Sequence, residues 1–322
     1  MGRTRVGVIG VGYLGKFHAR KYAAMEDVEL VGVADSDPAN ATEVAAFCNT
    51  HPFVEYRELL SQVDAVSVVV PTSLHHEVAV AALEAGKDVM LEKPMTTTLE
   101  EADQLIHLAE AKGRILQVGH IERYNPAILA MEEHLTTPLF IESHRLHLFK
   151  PRGLDVDVVL DLMIHDIDMV LSLVKSPIVT IHAVGAPVFT MTTDIANARL
   201  IFANGCTANI TVSRISKENM RRLRIFQPNA YISVDYGKKE FMVIRPGATP
   251  GPDGLPSEEV VKACFTHQDA LEMELVDFVS HVKNRTRPRV SGEEGRQALA
   301  VAQEIMAQIR DHAAGQGLSF HG

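Results

Sequence analysis

Cysteine is scarce in this chain: Cys48, Cys206 and Cys264 are the only three among 322 residues. Their number is odd, their spacing wide, and no Cys-x-x-Cys pair occurs. That excludes a disulfide framework and reads as buried thiols in a reducing compartment. Positive charge is also in short supply, with 31 Lys and Arg against 41 Asp and Glu and a net charge of −10. A phosphate backbone demands a basic face, so nucleic acid is excluded as the main partner. A small anionic ligand held by a few local cations is not. No apolar run approaches the roughly 18 residues that span a bilayer, so no membrane association is expected. The chain passes from Met1 through Arg3 and Arg5 straight into Val6-Gly7-Val8-Ile9. That is too short for a signal-peptide core and has no small-residue cleavage site, so the reading is a soluble cytoplasmic protein. Internal repeats and low-complexity segments are absent.

What is present is an ordinary globular mixture, 46% hydrophobic and 22% charged. At roughly 150 residues per domain the length suggests about two domains, with cores large enough to need no metal or disulfide staple. Val6–Ile9, Glu29–Ala34, Ala65–Val70, Lys87–Leu91 and Ile115–Val118 are short runs rich in Val and Ile. They read as strands buried on both faces of a parallel sheet. Helical stretches near Leu14–Met25, Ala39–Phe47, His76–Ala85 and Leu99–Ala111 separate them, which fits repeated βαβ units and a doubly wound α/β domain over residues 1–122. Thr98 and Glu101 form a capping box for the last of these helices.

The pattern changes in residues 123–322. A helix is expected after Asn125-Pro126, a strand at Phe140–Phe149, and a helix from Asp155 to Val174. Six apolar runs between Thr180 and Ile244, separated by turns such as Ala203-Asn204-Gly205, then imply antiparallel hairpins. The Pro- and Gly-rich stretch 246–256 reads as a loop, and helices at Asp269–Lys283 and Glu293–His312 close the chain. The second domain is thus α+β with a large, mainly antiparallel open sheet.

Gly10-Val11-Gly12-Tyr13-Leu14-Gly15 is a G-x-G-x-x-G that follows a strand and opens a helix, the context that gives the motif meaning. Gly10 permits the tight turn, Gly12 a close approach of pyrophosphate to the backbone, and Gly15 close helix–strand packing. The helix N-terminus behind Tyr13 and Leu14 offers unpaired N–H groups to the anion. This is the Rossmann fingerprint, the alternative being a glycine-rich turn with no ligand. Asp35 ends the second strand, 20 residues past Gly15, where an acid accepts the adenosine ribose hydroxyls. A 2′-phosphate there would meet Asp35 and Asp37 and no arginine, so NAD is expected rather than NADP. The competing reading of Asp35 is a plain turn aspartate.

Two further segments carry chemistry. Met90-Leu91-Glu92-Lys93-Pro94 ends a buried strand, on the side of the sheet where ligands bind. Lys93 there is either a proton-handling amine or a solvent-facing lysine paired with Glu92. Asp161, His165 and Asp168 stand at i, i+4 and i+7, within roughly 60° on one helix face. An imidazole flanked by carboxylates can take a proton from an alcohol. A metal site and a merely hydrated polar face are the alternatives.

Together these segments resemble the Gfo/Idh/MocA family, the relatives of glucose–fructose oxidoreductase and inositol dehydrogenase. The likeness extends to Pro71-Thr72-Ser73-Leu74-His75, Arg123-Tyr124-Asn125-Pro126 and Val290-Ser291-Gly292-Glu293. It implies a Rossmann domain joined to a substrate domain whose sheet makes a homodimer or homotetramer. It implies Lys93, Asp161 and His165 as the catalytic trio, Thr72, His75, Glu92 and Lys93 along the nicotinamide ribose, and a cis Lys93–Pro94 peptide. No metal is implied. Leu154–Leu160 replaces a glycine run found in many members, which points to a different substrate pocket.

Within the family, residues 117–126 and 161–168 are similar to the subgroup that oxidises the 3-hydroxyl of UDP-N-acetylglucosamine. Arg123, Tyr124, Asn125 and Arg152 would then face the substrate, with Arg145 and Lys150 among the cations for its diphosphate; the alternative for each cation is a surface or structural salt bridge. The alternatives are a dehydrogenase of a free sugar or cyclitol and a non-catalytic NAD-binding regulator. A metal hydrolase built on the Asp/His cluster leaves the Rossmann glycines unexplained.

Overall fold

The computed structural model describes residues 2–149, 156–250 and 256–315. The first run of elements is β1 (Thr4–Ile9), α1 (Gly15–Ala24), β2 (Val28–Ala34), α2 (Pro38–Cys48), β3 (His51–Phe53), α3 (Tyr56–Leu60) and β4 (Ala65–Val68). It continues through α4 (His75–Glu84), β5 (Asp88–Glu92), α5 (Leu99–Lys112) and β6 (Leu116–Gly119). After α6 (Pro126–Met131) and β7 (Phe140–Leu148), a π turn at Val159–Met163 leads into α7 (Ile164–Leu173). Next come β8 (Ile178–Ala186), β9 (Ile195–Phe202), β10 (Thr207–Ser216), β11 (Met220–Gln227) and β12 (Ala230–Asp235). The described chain ends with β13 (Glu240–Pro250), β14 (Pro256–Cys264), α8 (Ala270–Asn284) and α9 (Gly292–Gly315).

The first unit comprises Met1–Ile121 and Ala270–Leu299. Its six strands run in the order β3-β2-β1-β4-β5-β6, all parallel, the doubly wound arrangement expected. Val6, Val8, Val66, Val68, Val89, Leu91 and Val118 are wholly buried, as a sheet covered on both faces requires. Thr98 makes the capping box with Glu101, and Asp37 caps α2 through the Ala39 N–H with Pro38 in the first turn.

Sequence reasoning placed the two closing helices in the second domain. The structure instead returns α8 to the first unit. Leu275, Phe278, Val279 and Val282 share one core with Val6, Ala19, Tyr22 and Met90. Lys283–Asp27 (2.5 Å) and Arg285–Asp88 (2.6 Å) tie the helix's end to the same unit. The short β3 and α3 were not foreseen; three and five residues carry too little periodicity to register.

The second unit comprises Glu122–Asp269 and Ala300–Gly322. Its eight strands run β14-β13-β12-β11-β7-β10-β9-β8. Every neighbour is antiparallel except β7 and β10, which are parallel. Side chains alternate: Ile141, Ser143 and Arg145 of β7 and Leu223 and Ile225 of β11 point to the face that α7 covers. The expected loop at 246–256 is corrected at both ends, because β13 extends to Pro250 and pairs with β14 from Pro256, while 251–255 lie outside the described residues. Its prolines fall beyond Ile244, where β13 has lost β12 and keeps one neighbour, and the register shifts between Pro246 and Pro250. Of the three cysteines only Cys206 is buried, and burial pushes its thiol up to about 11. Cys48 is half-buried and Cys264, on the edge strand β14, is exposed, which corrects the expectation of three buried thiols.

Among the described residues no helix is long and apolar enough to cross a membrane.

Candidate active site

The glycine loop joins β1 to α1. Gly10 has φ +85°, a conformation that L side chains avoid, and a Cβ there would strike the Val69–Val70 backbone at 2.7–2.8 Å. A Cβ on Gly15 would lie 1.8 Å from the Gly10 carbonyl oxygen, so helix and loop approach more closely than any side chain allows. A Cβ on Gly12 meets no protein atom within 4 Å, which leaves that side of the loop open for a pyrophosphate. The first turn of α1 has no side-chain cap and no acid, so its amides suit an anion. Tyr13 and Leu14 are exposed on the loop.

Asp35 is half-buried at the end of β2 and accepts the Val11 N–H (2.8 Å) and the Asp37 N–H (2.9 Å). The strand end thereby holds the glycine loop, and the carboxylate keeps lone pairs for ribose hydroxyls. These residues fit NAD.

β5 delivers Glu92 and the half-buried Lys93, and the Lys93–Pro94 peptide is cis, as the resemblance implies. Glu92 Oε2 accepts the Lys93 N–H (3.2 Å), and Oε1 lies 3.2 Å from Nε2 of His18, a buried residue of α1. Burial alone would raise the Glu92 pKa. The His18 hydrogen bond and the charges of His18 and Lys93 outweigh it and hold the carboxylate below its ordinary value. His18 was missed in the sequence, where a histidine inside an amphipathic helix carries no distinguishing signal.

Thr72 is half-buried on a short turn before α4. His75 is a correction in kind. It is 1% exposed, with Nδ1 2.9 Å from the Pro94 carbonyl and Nε2 2.9 Å from that of Val70. It braces the loop after Lys93 from behind and presents no ring nitrogen to a ribose. Burial pushes its pKa down, against the two carbonyls.

In the second unit Asp161 lies in the π turn and His165 on α7, both half-buried, while Asp166 and Asp168 are 1% exposed. The expected Asp161–His165–Asp168 face is therefore split. Asp168 turns inward and takes Arg123 bidentately, Nε at 2.7 Å and Nη2 at 3.1 Å. Asp166 receives Ser143 Oγ (2.7 Å) and Arg145 Nε (2.7 Å), and Arg145 also reaches Glu122 at 3.0 Å. Burial would lower the Arg145 pKa, and the charges of Asp166 and Glu122 outweigh it and raise it. The Tyr236 ring packs 5.5 Å from this guanidinium.

Three expectations change as a result. Arg123 and Arg145 take the structural salt-bridge alternative, each engaged by buried carboxylates. Asn125 caps α6 through the Ala127 N–H and donates to Glu122 and the Tyr236 carbonyl. Tyr124 is 3% exposed within the same unit. Arg152 and Lys150, with the start of the helix expected at Asp155, lie outside the described residues. Among the described residues no cluster of three His, Cys, Asp or Glu is arranged to hold a metal ion.

A glycine-rich dinucleotide loop backed by Asp35, with a lysine at the end of β5, defines a nucleotide-dependent oxidoreductase, and the second unit carries Asp161 and His165. Comparison with known proteins narrows this. Residues 4–120 match the model of an oxidoreductase family with an NAD-binding Rossmann fold, and residues 140–233 that family's C-terminal domain. UDP-N-acetylglucosamine 3-dehydrogenase from Acidithiobacillus ferrooxidans is 41% identical over 95% of this chain and 97% of the relative. A solved structure of that enzyme superposes with TM-score 0.91 at 40% identity, covering 96% of this chain and 98% of the other. Myo-inositol 2-dehydrogenase from Thermotoga maritima is 26% identical over 92% of this chain and 93% of its own. Levoglucosan dehydrogenase in complex with NADH shares the fold at TM-score 0.86 and 21% identity, over 96% and 97% of the two chains. The chain belongs to the Gfo/Idh/MocA family and is an NAD-dependent oxidoreductase.

Proposed function

We propose that the chain oxidises the 3-hydroxyl of UDP-N-acetylglucosamine to a ketone. The observation that carries this reading is near-full-length 41% identity to an enzyme of that name. Lys93, Asp161 and His165 supply the chemistry such a reaction needs. His165 takes the hydroxyl proton as the C–H bond breaks. The Lys93 ammonium stabilises the developing alkoxide, and the Glu92 carboxylate beside it accepts the Lys93 backbone N–H. Asp161 orients the imidazole or the sugar. NAD, when bound, supplies the hydride acceptor. Asp35 at the ribose position favours NAD over NADP, since a 2′-phosphate would face its carboxylate.

The reading extends to a homodimer or homotetramer formed through the open face of the large sheet. In support, Phe140, Phe226 and Tyr231 make an aromatic row there, with ring centroids 5.7 and 5.1 Å apart. The three free thiols suit a reducing, cytoplasmic setting.

The test is a panel of UDP-sugars and free polyols with NAD, followed by absorbance of the reduced cofactor. Turnover of UDP-N-acetylglucosamine is expected, and Lys93→Ala and His165→Ala should each reduce it about 100-fold or more. Full activity in both variants overturns the roles assigned. Turnover confined to a free cyclitol overturns the substrate.

A further inference from the structure

An acidic chain that binds a diphosphate must place cations locally, because its overall field opposes the ligand. Two of the four cations that sequence reasoning nominated, Arg123 and Arg145, are engaged by Asp168, Asp166 and Glu122, and the other two, Lys150 and Arg152, lie outside the described residues. The second unit nevertheless contains a cleft of about 930 Å³ lined by Asp161, His147, Arg214, Arg221 and Lys238 among others. That volume falls within the about 300–1,000 Å³ of small-molecule sites. It is bounded by the ends of β7 and β11, the β12–β13 turn and the π turn.

Strand alternation sorts the arginines at its edge. Arg222 points to the open face of the sheet, where Asp235 pairs with it at 3.6 Å. Arg221 points the other way, to the face shared with Arg145, Ser143 and α7. Among the described residues it makes a long ion pair, Nη1 to Glu122 at 3.9 Å, and the side chain is 43% exposed. The rest of the guanidinium lies over Gly237: Nη2 and Nε sit 3.6 and 3.8 Å from where a Cβ would be. Asp235 Oδ1 accepts the Lys238 N–H (3.0 Å) and so fixes this turn. Lys239, next along, is tied to the Gln268 carbonyl, whereas Lys238 is exposed at the cleft. Arg214 is held at the far side by Asp194 and the Val156 carbonyl.

We propose that Arg221 and Lys238 are the specificity-determining residues that grip the diphosphate of the nucleotide-sugar substrate. The planar guanidinium over Gly237 presents paired N–H donors to phosphate oxygens, and Lys238 adds a point charge from the turn. Asp161, at the same cleft, would then meet the sugar. This rests on the nucleotide-sugar reading and names the residues that distinguish such a substrate from a neutral polyol.

The test compares Arg221→Met and Lys238→Met with the wild-type enzyme and with Arg224→Met, a control whose arginine pairs with Glu142 on the open face at 3.3 Å. KM for UDP-N-acetylglucosamine should rise tenfold or more in the first two, with kcat within threefold and NAD affinity unchanged, and stay put in the control. UDP should protect the wild type against heat where uridine does not, and the two variants should lose that protection. An unchanged KM in both variants, with wild-type turnover intact, overturns this assignment and leaves the substrate reading standing. No turnover of any UDP-sugar by the wild type, with no protection by UDP, removes the substrate reading itself and the assignment with it.

Discussion

Arg145→Met is the most demanding test of how the second unit holds α7. The substitution keeps an unbranched apolar stem and deletes a guanidinium whose side chain is 4% exposed. Nε and Nη2 contact Asp166 at 2.7 and 3.3 Å, and Nη1 contacts Glu122 at 3.0 Å. The acceptors are 1% and 8% exposed, so neither carboxylate can turn to water. Removing one partner of a buried pair costs about 3–5 kcal/mol, because the other charge stays desolvated. For a unit of this size each kcal/mol lowers the melting temperature by about 2–4 °C, so a fall of about 6–20 °C is expected. Arg5→Met is the internal reference. Its pair with Asp64 is just as short, 2.8 Å, but both side chains are nearly half exposed, 49% and 45%. Such a pair is screened by water and salt, so its loss should barely move the melting temperature. Circular dichroism is the suitable probe, since the chain has no tryptophan. Adding Asp166→Asn to Arg145→Met should cost less than the sum of the two, with a coupling of about 1–3 kcal/mol. If Arg145→Met melts within about 1 kcal/mol of Arg5→Met, the claim that burial and not distance sets the strength of these pairs fails.

Gly12→Ala and Gly15→Ala should separate binding from folding. The first should leave the melting temperature alone yet weaken NAD by at least about tenfold, or 1.4 kcal/mol, by titration calorimetry, while the second should lose both. Phe278→Ala should cost the first unit about 3–5 kcal/mol in urea unfolding, although in sequence the residue follows every strand of the large sheet. Asp194 supplies a pH test. Burial would raise its pKa, but the amides of Val188, Thr190 and Phe189 outweigh it and hold it below the ordinary 3.8. A depressed carboxylate stabilises fully above its unfolded pKa and loses that contribution as pH falls through the folded value. Asp194→Asn should therefore lie about 1–3 kcal/mol below the wild type at pH 7, with the gap closing below about pH 4; a gap constant with pH would contradict the hydrogen-bond account.

Much of this molecule was legible because local chemistry and fold agree. The Val- and Ile-rich runs, the glycine loop, the capping box at Thr98 and the Pro126 helix start all report on their own neighbourhoods. What the sequence withheld concerns partners. A stripe such as Leu275, Phe278 and Val282 announces a buried helix face but not which core receives it. Arg123 and Arg145 read as cations near a cleft, and only their folded positions reveal Asp168, Asp166 and Glu122. The Asp161…Asp168 segment looked like one polar face because an ideal 3.6-residue period was assumed. The π turn at Val159–Met163 changes that period before α7 begins, so Asp161 and Asp168 part company. Strand β14 escaped notice because Ser257-Glu258-Glu259 begins it with polar residues, as befits a sheet edge.

The placement of α8 also bears on how the polypeptide is made. The N-terminal unit leaves the ribosome with its sheet strands complete, but the side of α1 and β1 that receives Leu275 and Phe278 has nothing to cover it. Roughly 150 further residues must be translated first, about 8–30 s at ordinary elongation speeds. During that interval the nascent dinucleotide-binding half is an unfinished, sticky body, and a chaperone that shields apolar surface would have its natural moment of engagement there.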